Sequence, residues 1–305
     1  MDDKARAEAD LLGLQRLGHR LKLILELEAH EREARFDLAR PGSELALDDQ
    51  SARPYQVSHL VGHCLALSLD ALLGAQFVLQ DPADVNGVRL LMSAPFPLLR
   101  TAMEAGALAM WVLMPDARDQ RLERLFRARW DDIVSDDNLA LAFTEFRDSD
   151  SREDVAGKNR LRRENTKHVR RRKAALRGAM DATSITRAAV ELGLPGFGPL
   201  MAQTAPSLGI DPNHAHGLWR TVSGLTHPSA SRSILASSVE YQHSSEPGVS
   251  RAFLTARPSL LNSAVEAGLL LPWHVLRRVA QLGDNPAVEF VVPAGFPPPP
   301  PPRAA

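Results

Sequence analysis

Cysteine is almost missing from these 305 residues: Cys64 stands alone. One thiol excludes an intramolecular disulfide and fits a reducing compartment. Aromatic residues are scarce too, at 5% of the chain against 44% hydrophobic residues in all. The core must therefore be built from Leu, Ala, Val and Met, which favours helices, because strands draw on aromatic and β-branched side chains. The charged start, Met1-Asp2-Asp3-Lys4-Ala5-Arg6, lacks the apolar region of a signal peptide. The most apolar run, residues 97–114, is interrupted by Arg100 and Glu104, so no uncharged stretch of the roughly 18 to 20 residues needed for a membrane span is expected. These absences lead to the expectation of a cytoplasmic, all-α protein without a membrane partner.

What is present fits a helical bundle. Leu14, Leu17, Leu21, Ile24 and Leu25 follow helical spacing in a first helix over residues 4–40, stopped by Pro41-Gly42. A loop is predicted over 42–53, then helices over 55–79, 88–93, 97–114 and 115–146. In the helix over 97–114 the small residues Ala102, Ala105, Gly106 and Ala109 allow close approach of a neighbour, which predicts a central place. Shorter helices follow over 183–192 and 200–205, residues 231–241 fit helix or strand equally, and a last helix spans 250–282, with kinks at Pro258 and Pro272. The expected organisation is an N-terminal helix and loop (1–53), a helical domain (54–283) and a disordered proline-rich tail (284–305). Six consecutive prolines, 297–302, suit polyproline II or disorder and offer a docking segment for a proline-recognising protein.

Charge is near balance, at −1 overall, but it is not evenly spread. Residues 158–177 hold ten Lys or Arg and one acid, on a long charged helical extension predicted over about 150–182. Arg163, Lys167, Arg170, Arg171 and Arg172 are candidates for neutralising phosphates of a nucleic acid such as RNA. No aromatic residue lies between 147 and 196, so a platform for stacking bases is not offered there. A solvated helix face or a mobile hairpin is the plainer explanation of the same run.

One stretch gathers several chemically capable side chains: Leu218-Trp219-Arg220-Thr221-Val222-Ser223-Gly224-Leu225-Thr226-His227-Pro228. Read as a helix ended by Pro228, it puts Arg220, Ser223, Gly224 and His227 on one face. The pattern Trp219-Arg220-x-x-Ser223-x-x-x-His227-Pro228, with Glu191-Leu192-Gly193-Leu194-Pro195 and Arg100-x-x-x-Glu104, resembles the HEPN superfamily, and within it a bacterial all-α family, over about residues 55–240. The resemblance implies a helical bundle, often a homodimer, some of whose members are metal-independent ribonucleases. His227 would then move a proton, Arg220 would clamp the phosphate, Ser223 would add a hydrogen bond, and Glu104 would orient Arg220 or His227. Thr221 departs from the pattern, since active members commonly carry Asn, Asp or His after the arginine. The same residues also fit a structural role, with Arg220 bridged to an acid such as Glu104 and His227 capping the helix end.

No cofactor or metal is expected. His59 and His63 share a helix face beside Cys64, but no third ligand accompanies them, and they read as packed core histidines. His214-x-His216 has no visible partner. Gly196 and Gly198 lack the lysine of a phosphate loop. The alternative to an enzyme is a non-catalytic interaction or scaffold protein that uses the basic helix and the proline tail.

Overall fold

Two apolar helices pack on each other at the centre, and the other described elements are laid around them. The computed structural model describes residues 3–34, 38–242 and 251–290. Its helices are α1 (Asp3–Ala34), α2 (Glu44–Ser51), α3 (Val57–Leu79), α4 (Pro95–Leu113), α5 (Arg118–Phe143), α6 (Arg152–Met180), α7 (Arg187–Val190), α8 (Phe197–Thr204), α9 (Pro212–Gly224), α10 (Ala230–Ala236) and α11 (Pro258–Leu282). Two small antiparallel hairpins complete it, β1 (Gln80–Asp81) with β2 (Asp84–Val88), and β3 (Ser237–Gln242) with β4 (Arg251–Ala256). The fold is all-α. The proline run 297–302 lies outside the described residues.

The central pair is α3 and α4, with α11 packed across both. Gly106 explains how α11 comes so close: a Cβ there would sit 2.7 Å from Cβ of Leu271. By length and composition α3 and α4 are each apolar enough to cross a membrane. Both carry charge within that length, Asp70 in α3 and Arg100 with Glu104 in α4. Most of α4's apolar surface is buried among its neighbours, including Phe96, Leu99, Met103, Trp111 and Val112. The helix α1 adds Leu17, Ile24 and Leu27 to the same core, against α11 and α3.

Several boundaries differ from the sequence reading, each for a local reason. The loop expected at 42–53 contains α2, capped by Ser43, whose hydroxyl accepts from the Ala46 amide at 3.2 Å. Its buried positions are Leu45 and Asp48, so an acid occupies a core site and breaks the apolar period. Residues 84–88 pair as β2 instead of opening a helix at 88. Residues 251–256 form β4, and α11 begins at Pro258, whose fixed φ suits a first helical turn, so no kink arises there. Pro272 is inside α11. The ambiguous stretch 231–241 is divided between α10 and β3.

The basic extension α6 opens on a capping box, Ser151 with Asp154, and lies along α5. The packing sorts its cations. Arg162 covers the Phe146 ring at 4.2 Å, Lys173 lies 4.8 Å from the Trp130 ring, and Arg172 is ion-paired to Asp136. Arg163, Lys167, Arg170 and Arg171 are exposed.

Candidate functional site

The site is assembled by α9 and the segments that follow it. Pro212 starts the helix, and the Asp211 carboxylate caps it by accepting from the His214 amide at 2.9 Å. Ala215 and Val222 are buried, fixing which side of α9 faces the bundle. Arg220 is thereby exposed and Ser223 half-buried. The helix ends at Gly224, one turn earlier than the sequence suggests. The turn beyond it is held by the Thr226 hydroxyl, which donates to the Ser223 carbonyl at 2.7 Å. His227 therefore shares no helix face with Arg220. It reaches the same cavity from the turn.

That cavity has a volume of about 1230 Å³. Arg220, Arg232, Arg257, His214, His216 and His227 all line it, with Ser223 beside them. No Asp or Glu is among the described residues that line it. Phe197, Trp219, Leu235 and Leu260 supply apolar wall. Guanidiniums and imidazoles without a nearby carboxylate favour an anionic occupant, and guanidinium forks suit phosphate or carboxylate geometry. Among the described residues no group of three acidic, His or Cys side chains is placed to hold a metal ion.

Two glycines set the walls. A Cβ at Gly198 would lie 2.8 Å from Nε2 of His216 and 3.1 Å from the Trp219 ring, so α8 and α9 approach closely only because Gly198 is bare. At Gly224 a Cβ would lie 3.2 Å from Nη1 of Arg232 and 3.3 Å from its Cδ. Arg232 thus rests on the last turn of α9.

Glu104 stands behind the wall instead of in the cavity. Its Oε1 accepts from Arg100 Nε at 2.7 Å and from Trp219 Nε1 at 3.0 Å. Arg100 also donates to the Thr226 hydroxyl at 3.3 Å. The Arg100–Glu104 pair therefore ties α4 to Trp219 and Thr226, the neighbours of Arg220 and His227 in sequence, without bonding to either of those two. Among the described residues, the side chains of Arg220 and His227 have no hydrogen-bond or ion-pair partner.

Sequence reasoning missed Arg232 and Arg257, and it found no role for His214 and His216. The histidine pair was visible as a motif, but only the fold brings it to the cavity. Arg257 follows β4, and the pairing of Ser237 with Ala256 carries it back under α10. Its Nε donates to the Ser237 carbonyl at 3.0 Å. His59 and His63, expected to be packed, are exposed and line a second cavity of about 460 Å³ with Glu31 and Asp49. The Cys64 thiol is buried, and burial pushes it up to about 12, so it holds its proton and is a poor nucleophile or ligand at neutral pH. Comparison of the chain with protein-family models, curated proteins and solved structures finds no match.

Proposed function

We propose that the protein acts on RNA, by metal-independent phosphodiester cleavage in the cavity beside α9. The observation that carries this reading is the joint exposure of Arg220, Ser223 and His227 to one cavity whose described lining has no carboxylate. The resemblance of Trp219-Arg220-x-x-Ser223-x-x-x-His227-Pro228 to the HEPN pattern adds to it.

In this reading the ribose 2′-oxygen attacks the adjacent phosphorus and gives its proton to a basic group. The bond from phosphorus to the 5′-oxygen breaks, and that oxygen takes a proton from an acidic group. The products are a 2′,3′-cyclic phosphate and a 5′-hydroxyl. An imidazole suits either transfer, because its protonation changes in the physiological range. His227 performs one, and His214 or His216 serves the other. Arg220 binds the non-bridging oxygens, where negative charge grows in the transition state. Ser223 donates a further hydrogen bond. Glu104 acts indirectly, by holding Trp219 against α4.

The test is cleavage of single-stranded RNA by the purified chain in the presence of a chelator, with analysis of product ends. Wild type is expected to leave cyclic phosphates, and Arg220→Ala and His227→Ala to lose about 10²-fold or more in rate. Equal rates in wild type and both variants would defeat the reading. The exposed cations of α6 extend the phosphate-binding surface, and Arg170→Ala with Arg171→Ala should weaken the salt dependence of RNA binding. Binding without cleavage would favour the second reading, a non-catalytic interaction protein, which the exposure of Arg163, Lys167, Arg170 and Arg171 also supports.

A further inference from the structure

Arg220 and Gly224 are four residues apart on α9, so their Cα–Cβ directions are neighbours on one face, about 5 to 6 Å apart. The Arg232 guanidinium occupies the place where a side chain at 224 would start, with Nη1 at 3.2 Å and Cζ at 3.6 Å from the ideal Cβ. Two guanidiniums of the same sign are thus brought to adjacent turns of one helix. Arg257 lines the same cavity from another element, the start of α11. Its Nε is committed to the Ser237 carbonyl, which orients the fork. Among the described residues, the terminal nitrogens of Arg257 and the whole guanidinium of Arg232 have no acceptor. Three cations from three elements therefore face one space without a carboxylate. Like charges so arranged repel each other, and an anion among them relieves that repulsion.

We infer that Arg232 and Arg257 form a second phosphate subsite beside the one at Arg220 and His227, so that the cavity takes two phosphate groups of one ligand. This deepens the reading given above by naming what the ligand must carry. One phosphate lies against Arg220 and His227. The next lies against Arg232 and Arg257. The apolar wall of Phe197, Trp219 and Leu235 takes the part of the ligand joined to them. The shared chemistry is a pair of neighbouring phosphates, which a nucleic-acid strand or a free diphosphate can supply.

The experiment measures binding of small probes to the full chain at fixed pH and salt. The strand arm compares the dinucleotide UpU with its 5′-phosphorylated form, pUpU, both blocked at the 2′-hydroxyl against cleavage. The free-anion arm compares inorganic phosphate with pyrophosphate. Wild type should prefer the two-phosphate member of at least one pair by about tenfold or more, the effect of one added charge-assisted contact. The arm that shows the preference names the source. Arg232→Ala and Arg257→Ala should each reduce it toward parity, by weakening the two-phosphate probe more than the one-phosphate probe. Arg220→Ala should weaken both members of the pair. Gly224→Ala, which keeps every charge but displaces the Arg232 head, should shrink the preference too. A wild-type preference near one, or one that survives Arg232→Ala and Arg257→Ala, overturns the second subsite. The preference can hold in a protein that cleaves no RNA, and cleavage can occur without the preference, so failure here and failure of the ribonuclease reading are told apart.

Discussion

The arginines of α5 and those of the cavity are the same side chain put to opposite uses. On α5, Arg121, Arg124 and Arg127 are consumed inside the fold. Arg121 is 1% exposed and donates from Nε to Oδ2 of Asp48 at 2.6 Å, and its Nη1 donates to the Pro115 and Asp116 carbonyls. Arg124 donates to the Trp111 carbonyl at 2.6 Å, Arg127 to the Gly193 carbonyl at 2.8 Å, and both guanidiniums lie over the Trp111 ring. These cations join α2, α4 and the segment before α8 to α5. Around the cavity, Arg220 and Arg232 have no acceptor among the described residues, and Arg257 has one carbonyl. The difference teaches where to look for function: an arginine whose compensation comes from its own fold is a joint, and one left without it in a concave, carboxylate-free place is the one to test for binding an outside anion.

That contrast can be broken by mutation. The largest effect is expected at Asp48, which is fully buried against Arg121. Asp48→Ala leaves a buried guanidinium without its carboxylate and should cost about 3–5 kcal/mol in urea unfolding. Next comes His274, buried beside Trp273, where desolvation pushes the imidazole down to about 4. In the unfolded chain it titrates near 6.5, so between these values the unfolded state binds a proton that the fold refuses. Stability should therefore fall as pH drops from about 6.5 to about 4, by roughly 3 kcal/mol from this residue, and not change further below. Urea titrations across that range should show a smaller pH dependence in His274→Gln. The smallest effect is expected in the cavity: Arg220→Ala and Arg232→Ala should shift stability by no more than about 0.5 kcal/mol, since neither side chain has a protein partner to lose. A large destabilisation there would place these arginines with those of α5.

Much of this was readable from residues alone, and the rest had identifiable obstacles. The long elements α3, α4, α5 and α6 follow from period, composition and proline signals, which act within a few turns. The small residues of α4 pointed to close packing, and Gly106 meets α11. By contrast α2 was hidden because Asp48 sits at a core position, where the distant Arg118 and Arg121 together make an acid tolerable. The cavity was half visible. Arg220, Ser223 and His227 are near in sequence, although His227 arrives from a turn and not from the helix. Arg257 depends on the β3–β4 pairing and Arg232 on α10 folding back against Gly224, and no local signal reports either. The basic run also had to be sorted by packing, since nothing in its composition separates Arg172, paired to Asp136, from its exposed neighbours Arg170 and Arg171.

The measurement closest to the centre of this account is the affinity of the full chain for a short, cleavage-resistant single-stranded RNA, compared between wild type and Arg220→Ala at equal stability. The unpaired guanidinium is expected to matter as a phosphate contact, so the variant should bind about tenfold more weakly or worse. Equal affinity in the two proteins would contradict the claim that the cavity beside α9 exists to hold phosphate.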